Sequence, residues 1–148
     1  MSFASKWVVV RKFSVGPDDL DSGAVVRAEA IDRWMAETRS AYLERCVVFR
    51  ELQDGSGLEL RARVHHAPAP ERFGQPTAVI VGAGATEIRP TSFTVAFRLR
   101  PTDGNGDDAI NAACEVSLED PATGDACELG DDIRDELIAL AHAASHII

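Results

Sequence analysis

Residues 19–39 read DLDSGAVVRAEAIDRWMAETR, and this stretch joins a short polar loop to the start of a strongly amphipathic helix. Apolar or buried-type residues recur on one helical face, at Ile31, Trp34, Met35, Thr38 and Tyr42. This spacing predicts a helix over 26–43, the longest in the chain and therefore the central one. Asp19 and Asp21 precede it, where a helix start offers unsatisfied N–H groups and a positive dipole end. A carboxylate in that position suits catalysis on a substrate held against the helix N-terminus.

The remaining segments predict an antiparallel sheet and a second helix. Strands are predicted over 6–15, 58–64, 77–82, 92–99 and 109–118, and a C-terminal helix over 131–146. Turns are predicted at 16–19, 54–57, 103–107 and 120–124. Residues 46–51 either end the long helix as a frayed turn or begin a strand. Because successive strands joined by hairpins run antiparallel, and one long helix covers one face only, we predict a single α+β domain spanning 1–148.

Composition and charge restrict the possible partners. The chain carries 24 acidic and 15 basic side chains, for a formal net charge of −9, and is 45% hydrophobic. That hydrophobic share supports a real core, and the negative charge argues against nonspecific nucleic-acid binding. Residues 103–136 hold 12 of the 24 carboxylates and a single base, Arg134. Arg89, Arg98 and Arg100 precede that segment, so a local basic patch for a phosphate-bearing ligand remains compatible with the overall charge.

The cysteine pattern and the hydropathy indicate a cytosolic protein. Cys46, Cys114 and Cys127 are odd in number and lack C-x-x-C spacing, so neither a disulfide framework nor a zinc knuckle is expected. Basic residues interrupt the N-terminal apolar run, so no secretory leader is expected. No stretch approaches the roughly 18 apolar residues of a membrane span. We therefore predict a cytoplasmic protein that has no membrane partner.

A glycine-rich run and four histidines resemble functional motifs but are better explained by structural roles. The glycine-rich run after residues 77–81 resembles a dinucleotide fingerprint, but Glu87 stands at its sixth position and no helix is predicted after it. His142 and His146 are four apart on the predicted C-terminal helix, without an evident third ligand. His65 and its neighbour His66 point to opposite faces of a strand. These histidines are therefore predicted to be structural or exposed.

The 19–39 stretch resembles the signature of hotdog-fold acyl-CoA thioesterases of the 4-hydroxybenzoyl-CoA thioesterase type. That signature reads D-x-D-x-x-G-x-V and continues into a helix with an R-W pair, matched here by Arg33 and Trp34. The resemblance implies a hotdog fold, in which an antiparallel sheet wraps around the central helix. It also implies that Asp21 is the catalytic nucleophile or general base, and that the backbone N–H of Ala28 polarises the thioester carbonyl. From the residues alone, an Asx turn or a helix cap is the simpler explanation of Asp19 and Asp21.

The resemblance also implies a substrate and an assembly. The substrate would be an acyl-CoA or an acyl-carrier-protein thioester, and no metal or other cofactor would be needed. The site would form between the protomers of a homodimer or homotetramer. An exposed sheet edge independently favours such pairing. Thr91 and Ser92 resemble a T/S-S-F segment near the pantetheine channel, although they also suit a strand start. Arg98 and Arg100 share one strand face and either bind CoA phosphates or pair with the acidic hairpin and C-terminal helix.

Two departures from the signature leave an alternative open. Many relatives carry Gly-His-Val-Asn-Asn after the catalytic Asp, whereas residues 24–28 here are Ala-Val-Val-Arg-Ala. The glycine falls one residue early, at Gly23, and polar side chains are absent at Val25 and Ala28. The alternative is a noncatalytic hotdog module that binds an acyl thioester or only dimerises. A second hotdog branch places a catalytic Glu on the central helix, but Glu37 lies off the apolar stripe and is predicted to be solvated or at an interface.

Overall fold

The computed structural model describes residues 6–65, 70–103 and 108–148 of the chain. The described elements are β1 (Val9–Ser14), α1 (Ala28–Arg45), α2 (Val47–Ser56), β2 (Glu59–Val64), β3 (Ala78–Ile88), β4 (Phe93–Pro101), β5 (Ile110–Glu119) and α3 (Asp131–Ala143). Two short 3₁₀ turns lie at Pro17–Asp19 and Pro70–Phe73. The predicted long helix is thus confirmed, with its start at Ala28. Residues 104–107 of the predicted hairpin loop lie outside the described residues. So does His66, the neighbour of His65.

The five strands form one antiparallel sheet in the order β1-β3-β4-β5-β2. Strands β3, β4 and β5 follow each other directly in the chain and occupy the centre. Strands β1 and β2 form the two edges, and the segment that joins them in the chain contains α1 and α2. The sheet curls around α1 as a half-barrel. The predicted α+β architecture, an antiparallel sheet wrapped around one long helix, is confirmed.

The core lies between α1 and the concave face of the sheet. Trp34 of α1 is 1% exposed and stacks on Phe13 of β1, with ring centroids 6.0 Å apart. Phe49 of α2 and Phe93 of β4 meet edge to face at 5.4 Å. Each such side chain contributes about 1.5–3 kcal/mol when fully buried. The alternation in β4 places Phe93, Val95, Phe97 and Leu99 in this core, as the sequence predicts.

Residues 47–51 belong to a second helix and Cys46 is its N-cap, so neither the frayed end nor the strand predicted for 46–51 is correct. Helix α2 extends through the predicted 54–57 turn and ends at Gly57, whose φ of +69° is left-handed. The side chain of its own N-cap, Cys46, makes no capping hydrogen bond to this helix. Glu136 of α3 instead accepts hydrogen bonds from the N–H groups of Val48, at 3.0 and 3.2 Å, and Phe49, at 3.4 Å. A distant residue therefore stabilises this helix start, which local sequence does not reveal.

Strand β3 continues through the glycine-rich run to Ile88 instead of ending near residue 82. The register with β4 shifts between Ala85 and Glu87, which indicates a β-bulge there. Gly82 allows a close approach, because a Cβ there would lie 2.8 Å from the ring of Trp7. No helix follows the run, and β4 comes next. The expectation that this run is not a dinucleotide site is consistent with that geometry.

Helix α3 ends at Ala143, earlier than predicted, so His146 does not share a helical face with His142. The chain instead extends after Ala144, and His146 exchanges backbone hydrogen bonds with Trp7 at 2.7 and 3.2 Å. The non-local pairing with Trp7 replaces the last predicted helical turn. In the described part of the chain, no helix is both long enough and apolar enough to cross a membrane.

Candidate active site

The loop that precedes α1 holds the Asp21 side chain in an Asx turn. Its Oδ1 accepts hydrogen bonds from the N–H of Gly23 at 2.8 Å and of Val25 at 3.0 Å. The N–H of Asp21 donates to the Val25 carbonyl oxygen at 2.8 Å, and Leu20 and Val26 form an antiparallel bridge beside it. Asp21 is exposed, and its Oδ2 has no hydrogen-bond partner among the described residues. One carboxylate oxygen is therefore fixed and the other is free.

Ala24 adopts a left-handed backbone conformation at the apex of this loop, with φ of +61°. Its N–H donates to the carbonyl oxygen of Asp21 at 3.0 Å, which closes the turn. For L-residues other than Gly this conformation costs about 1–2 kcal/mol. The Gly of the thioesterase pattern Gly-His-Val-Asn-Asn aligns with Ala24, so the loop keeps the glycine-like conformation without the glycine.

Asp19 ties the loop to the body of α1. Its side chain is 10% exposed; Oδ1 accepts a 2.6 Å hydrogen bond from Arg33, and Oδ2 accepts one from the Gly16 N–H at 2.9 Å. The hydrogen bond from the Arg33 guanidinium lowers the pKa of Asp19, against the smaller opposing effect of burial. The Asp19 carbonyl oxygen accepts from the Arg27 N–H at 2.8 Å. The first Asp of the D-x-D pair is therefore structural, and the second projects into solvent.

Ala28 is the first residue of α1 and follows the N-cap, Arg27. Arg27 supplies no side-chain cap; its Nε instead donates to the Leu20 carbonyl oxygen at 3.0 Å. Within the described residues, the N–H groups of Ala28 and Glu29 have no backbone or side-chain acceptor. Because both residues are exposed, these N–H groups can bind an external oxygen atom.

Thr91 and Ser92 lie in the turn between β3 and β4. Ser92 is 6% exposed, and its Oγ donates to Oε2 of Glu115 at 3.2 Å. Arg89 lies 3.6 Å from the same carboxylate oxygen. No described hydrogen bond or ion pair within one chain joins Thr91 or Ser92 to Asp21.

Arg98 and Arg100 lie on the convex face of the sheet, opposite the core side chains of β4. In register, Arg98 stands between Gly82 of β3 and Asn111 of β5. Nη1 of Arg100 donates to the Pro101 carbonyl oxygen at 3.4 Å, and its buried Nε has no partner among the described residues. Neither arginine forms an ion pair with a described carboxylate, so both remain available to an anion.

A cleft of about 470 Å³ lies between β1 and α1 and does not include Asp21. Its walls include Arg11, Lys12 and Phe13 of β1 and the exposed Glu37 of α1. Sequence patterns did not single out Arg11 and Lys12, although two consecutive bases inside a strand are an available signal. No group of three or more His, Cys, Asp or Glu side chains suited to a metal ion occurs at 6–65, 70–103 or 108–148.

Two of the three cysteines are deeply buried. Burial raises the pKa of Cys46 to about 12, and the nearby charge of Glu136 adds to that rise. Burial likewise raises the pKa of Cys114. Because the thiolate is the reactive form, neither residue is suited to nucleophilic catalysis.

No protein-family model matches the sequence, and no curated protein matches it. Solved structures do resemble the fold. A thioesterase from Thermus thermophilus, complexed with coenzyme A and Zn, has a TM-score of 0.64 at 18% identity, over 94% of this chain and 98% of that one. The 1,4-dihydroxy-2-naphthoyl-CoA thioesterase from Synechocystis has a TM-score of 0.63 at 12% identity, with 90% and 97% covered. The 4-hydroxybenzoyl-CoA thioesterase from Pseudomonas sp. strain CBS-3 has a TM-score of 0.59 at 16% identity, over 86% of this chain and 97% of that one.

The fold is therefore a hotdog fold, as the resemblance of residues 19–39 implies. Acyl-CoA thioesterases are among the solved structures that share this fold. Almost the whole length of each of these three structures is matched, so the likeness covers a complete domain rather than a shared motif.

Proposed function

We propose that this protein is a thioesterase that hydrolyses an acyl-CoA or acyl-carrier-protein thioester to the free acid and thiol. The observation that carries the proposal is the loop before α1. Its Asx turn holds one oxygen of Asp21 and leaves Oδ2 free, beside a helix start whose N–H groups at Ala28 and Glu29 lack protein acceptors among the described residues. The acyl-CoA thioesterases that share the fold support the same reaction class.

The proposed reaction uses the carboxylate and the helix start together. Oδ2 of Asp21 either attacks the thioester carbonyl carbon or takes a proton from a water molecule that attacks it. The carbonyl oxygen becomes an oxyanion, which the N–H of Ala28 stabilises at the positive end of the α1 dipole. The C–S bond then breaks, the thiolate leaves and is protonated, and the acid is released. If Asp21 attacks, water hydrolyses the resulting anhydride and regenerates the carboxylate.

Substrate binding is proposed to involve residues beyond the loop. Arg98 and Arg100 bear no ion pair to a described carboxylate, which suits them to CoA phosphates. Thr91 and Ser92 are proposed to contact the substrate from a second copy, because no described contact joins them to Asp21 within one chain. A homodimer or homotetramer is accordingly proposed as the active form.

Asp21→Asn is the decisive variant, because the Asn Oδ1 can still accept from Gly23 and Val25 while the carboxylate is lost. We expect hydrolysis of a panel of acyl-CoAs, measured as free thiol release, to fall by at least about 100-fold without a change in thermal stability. Asp18→Asn, at another exposed Asp of the same region, is the matched control and should retain activity. Equal activity in wild type and Asp21→Asn would contradict the proposal.

The second candidate is a noncatalytic module that binds acyl thioesters. It is favoured by the apolar side chains of Val25 and Ala28, where many relatives carry polar ones. Calorimetric titration with a nonhydrolysable acyl-CoA thioether separates the candidates. Binding to wild type without any thiol release from acyl-CoA or acyl-carrier protein would support the module. Release that depends on Asp21 would exclude it.

A further inference from the structure

The cleft between β1 and α1 is a groove that runs along the free edge of the sheet. Three consecutive residues of β1, Arg11, Lys12 and Phe13, line one wall. Successive side chains of a strand point to opposite faces, so three in a row line a groove only where it follows the strand edge. The other wall is a single stripe of α1, formed by Arg33, Ala36, Glu37, Ser40, Ala41 and Glu44.

The backbone of β1 offers unused hydrogen-bonding groups to this groove. The N–H of Val15 donates to the Thr77 carbonyl oxygen at 2.9 Å, in register with the β1–β3 ladder. In an antiparallel pair, alternate residues direct both backbone groups to the same neighbour. The backbone groups of Val10, Lys12 and Ser14 therefore face away from β3. Among the described residues no strand pairs with this side of β1, which ends the sheet order.

The chain already places an extended segment on the same edge. The N–H of Val8 donates to the carbonyl oxygen of Ala83 at 3.2 Å, although Ala83 is the register partner of Val9. The alternation therefore shifts by one residue at this point, and Trp7 faces outward. Trp7 exchanges two hydrogen bonds with His146 of the C-terminal tail. The outer edge thus accepts strand-like pairing at its start and remains open from Val10 onward.

The charges and the size of the groove restrict its occupant. Arg11 and Lys12 on β1 and Glu37 and Glu44 on α1 form no ion pair with any described residue. The helix stripe between the two glutamates is made of small side chains, Ser40 and Ala41. A simple anion would face two carboxylates, whereas a peptide strand can bring both signs of charge and small side chains together.

The geometry points to a strand-acceptor site, at which an extended peptide adds to β1 as a sixth strand of the sheet. The peptide would present an acidic side chain opposite Lys12 on the convex face. It would present small and basic side chains toward α1, where Glu37 and Glu44 lie. Main-chain hydrogen bonds supply the affinity in such additions, and alternate side chains supply the specificity. Asp21 does not line this groove, but Arg33, which pairs with Asp19 of the proposed catalytic loop, does, so the strand-acceptor site is separate from Asp21 and adjoins that loop.

The probe is the capped heptapeptide Thr-Val-Glu-Ala-Thr-Lys-Thr, whose alternate positions carry the acidic and the small or basic side chains. Amide hydrogen exchange of the full chain, with and without the peptide, reads out the pairing. We expect exchange to slow at Val10, Lys12 and Ser14. The amides of Arg11 and Phe13, which already bond to β3, serve as internal controls and should not change. Absence of slowing at saturating peptide would overturn the proposal.

Two protein variants and one peptide keep the result interpretable. Lys12→Pro removes an outward N–H without removing a β1–β3 bond, and Ala41→Lys narrows the groove from the helix side. Each should weaken binding at least tenfold, whereas Ala139→Lys on the exposed face of α3 should not. Equal binding of a peptide in which Glu and Lys are exchanged would also overturn the proposal. So would self-association of the wild-type protein that Ala41→Lys abolishes, because a second copy would then occupy the groove.

Discussion

The guanidinium of Arg33 donates a 2.6 Å hydrogen bond to Oδ1 of Asp19, fourteen residues earlier in the chain. Arg33 lies in the second turn of α1, and Asp19 lies in the loop that carries Asp21. The pair therefore sets the position of the proposed catalytic loop relative to the helix whose N–H groups it would use. Because the Asp19 side chain is nearly buried while that of Arg33 is 53% exposed, solvent weakens but does not remove the interaction.

Arg33→Gln is expected to lower the free energy of unfolding by about 1 kcal/mol near neutral pH. Folding lowers the pKa of Asp19 below its ordinary 3.8, so the stabilisation is present above that value and disappears as the pH falls through the lowered pKa. The difference between wild type and variant should accordingly shrink at acidic pH. Urea unfolding at neutral and acidic pH measures it, with Arg134→Gln as the exposed control. A difference that grows on acidification would contradict this assignment.

Ala24→Gly is expected to stabilise the protein by about 1 kcal/mol, because glycine adopts the left-handed φ of +61° without strain. Thermal unfolding followed by circular dichroism checks the direction. The control is Ala139→Gly, at an exposed position in the middle of α3, which should destabilise the protein by about 1 kcal/mol. A loss of stability in both variants would mean that residue 24 does not hold this conformation in solution.

Gly82→Ala is expected to destabilise the protein by about 1–3 kcal/mol, because the added methyl group would lie 2.8 Å from the Trp7 ring. Gly55→Ala is the control, for which the opposite change in stability is expected. A Cβ at Gly55 meets nothing within 4 Å, and alanine favours the helix there, so a gain of up to about 1 kcal/mol is expected. Chemical denaturation of both variants, together with the fluorescence of Trp7 beside residue 82, tests this pair of predictions. Equal effects of the two substitutions would argue against close packing of Trp7.

Glu136→Ala is expected to cost about 1–2 kcal/mol, because the N–H groups of Val48 and Phe49 would lose their acceptor. Glu136→Gln retains one acceptor oxygen and should cost less. Asp135→Ala, at the exposed neighbouring position, serves as the control. Amide exchange at residues 48 and 49 should accelerate in Glu136→Ala ahead of global unfolding. Unchanged exchange there would show that α2 starts without this cap.

The long helix, the half-buried strands and the polar loop before the helix could all be predicted from local pattern. Alternation in Phe93 to Leu99 and the helical stripe through Trp34 depend on neighbours a few residues apart, and the folded chain retains both. The hotdog fold followed from the resemblance of residues 19–39, and the comparison with solved structures confirms it. The roles of Asp21 and Ala28 remain predictions to be tested by hydrolysis.

What the sequence by itself determined was the type and order of most elements, because helical and strand periodicity are properties of adjacent residues. Tertiary structure alone decided that 47–56 is helical, through Glu136 some 88 residues away from Val48. It also separated the two aspartates, because Asp19 meets Arg33 only once α1 has formed, which leaves Asp21 exposed. Such partners lie far apart in the chain, and only packing brings their charges and backbone groups within hydrogen-bonding distance.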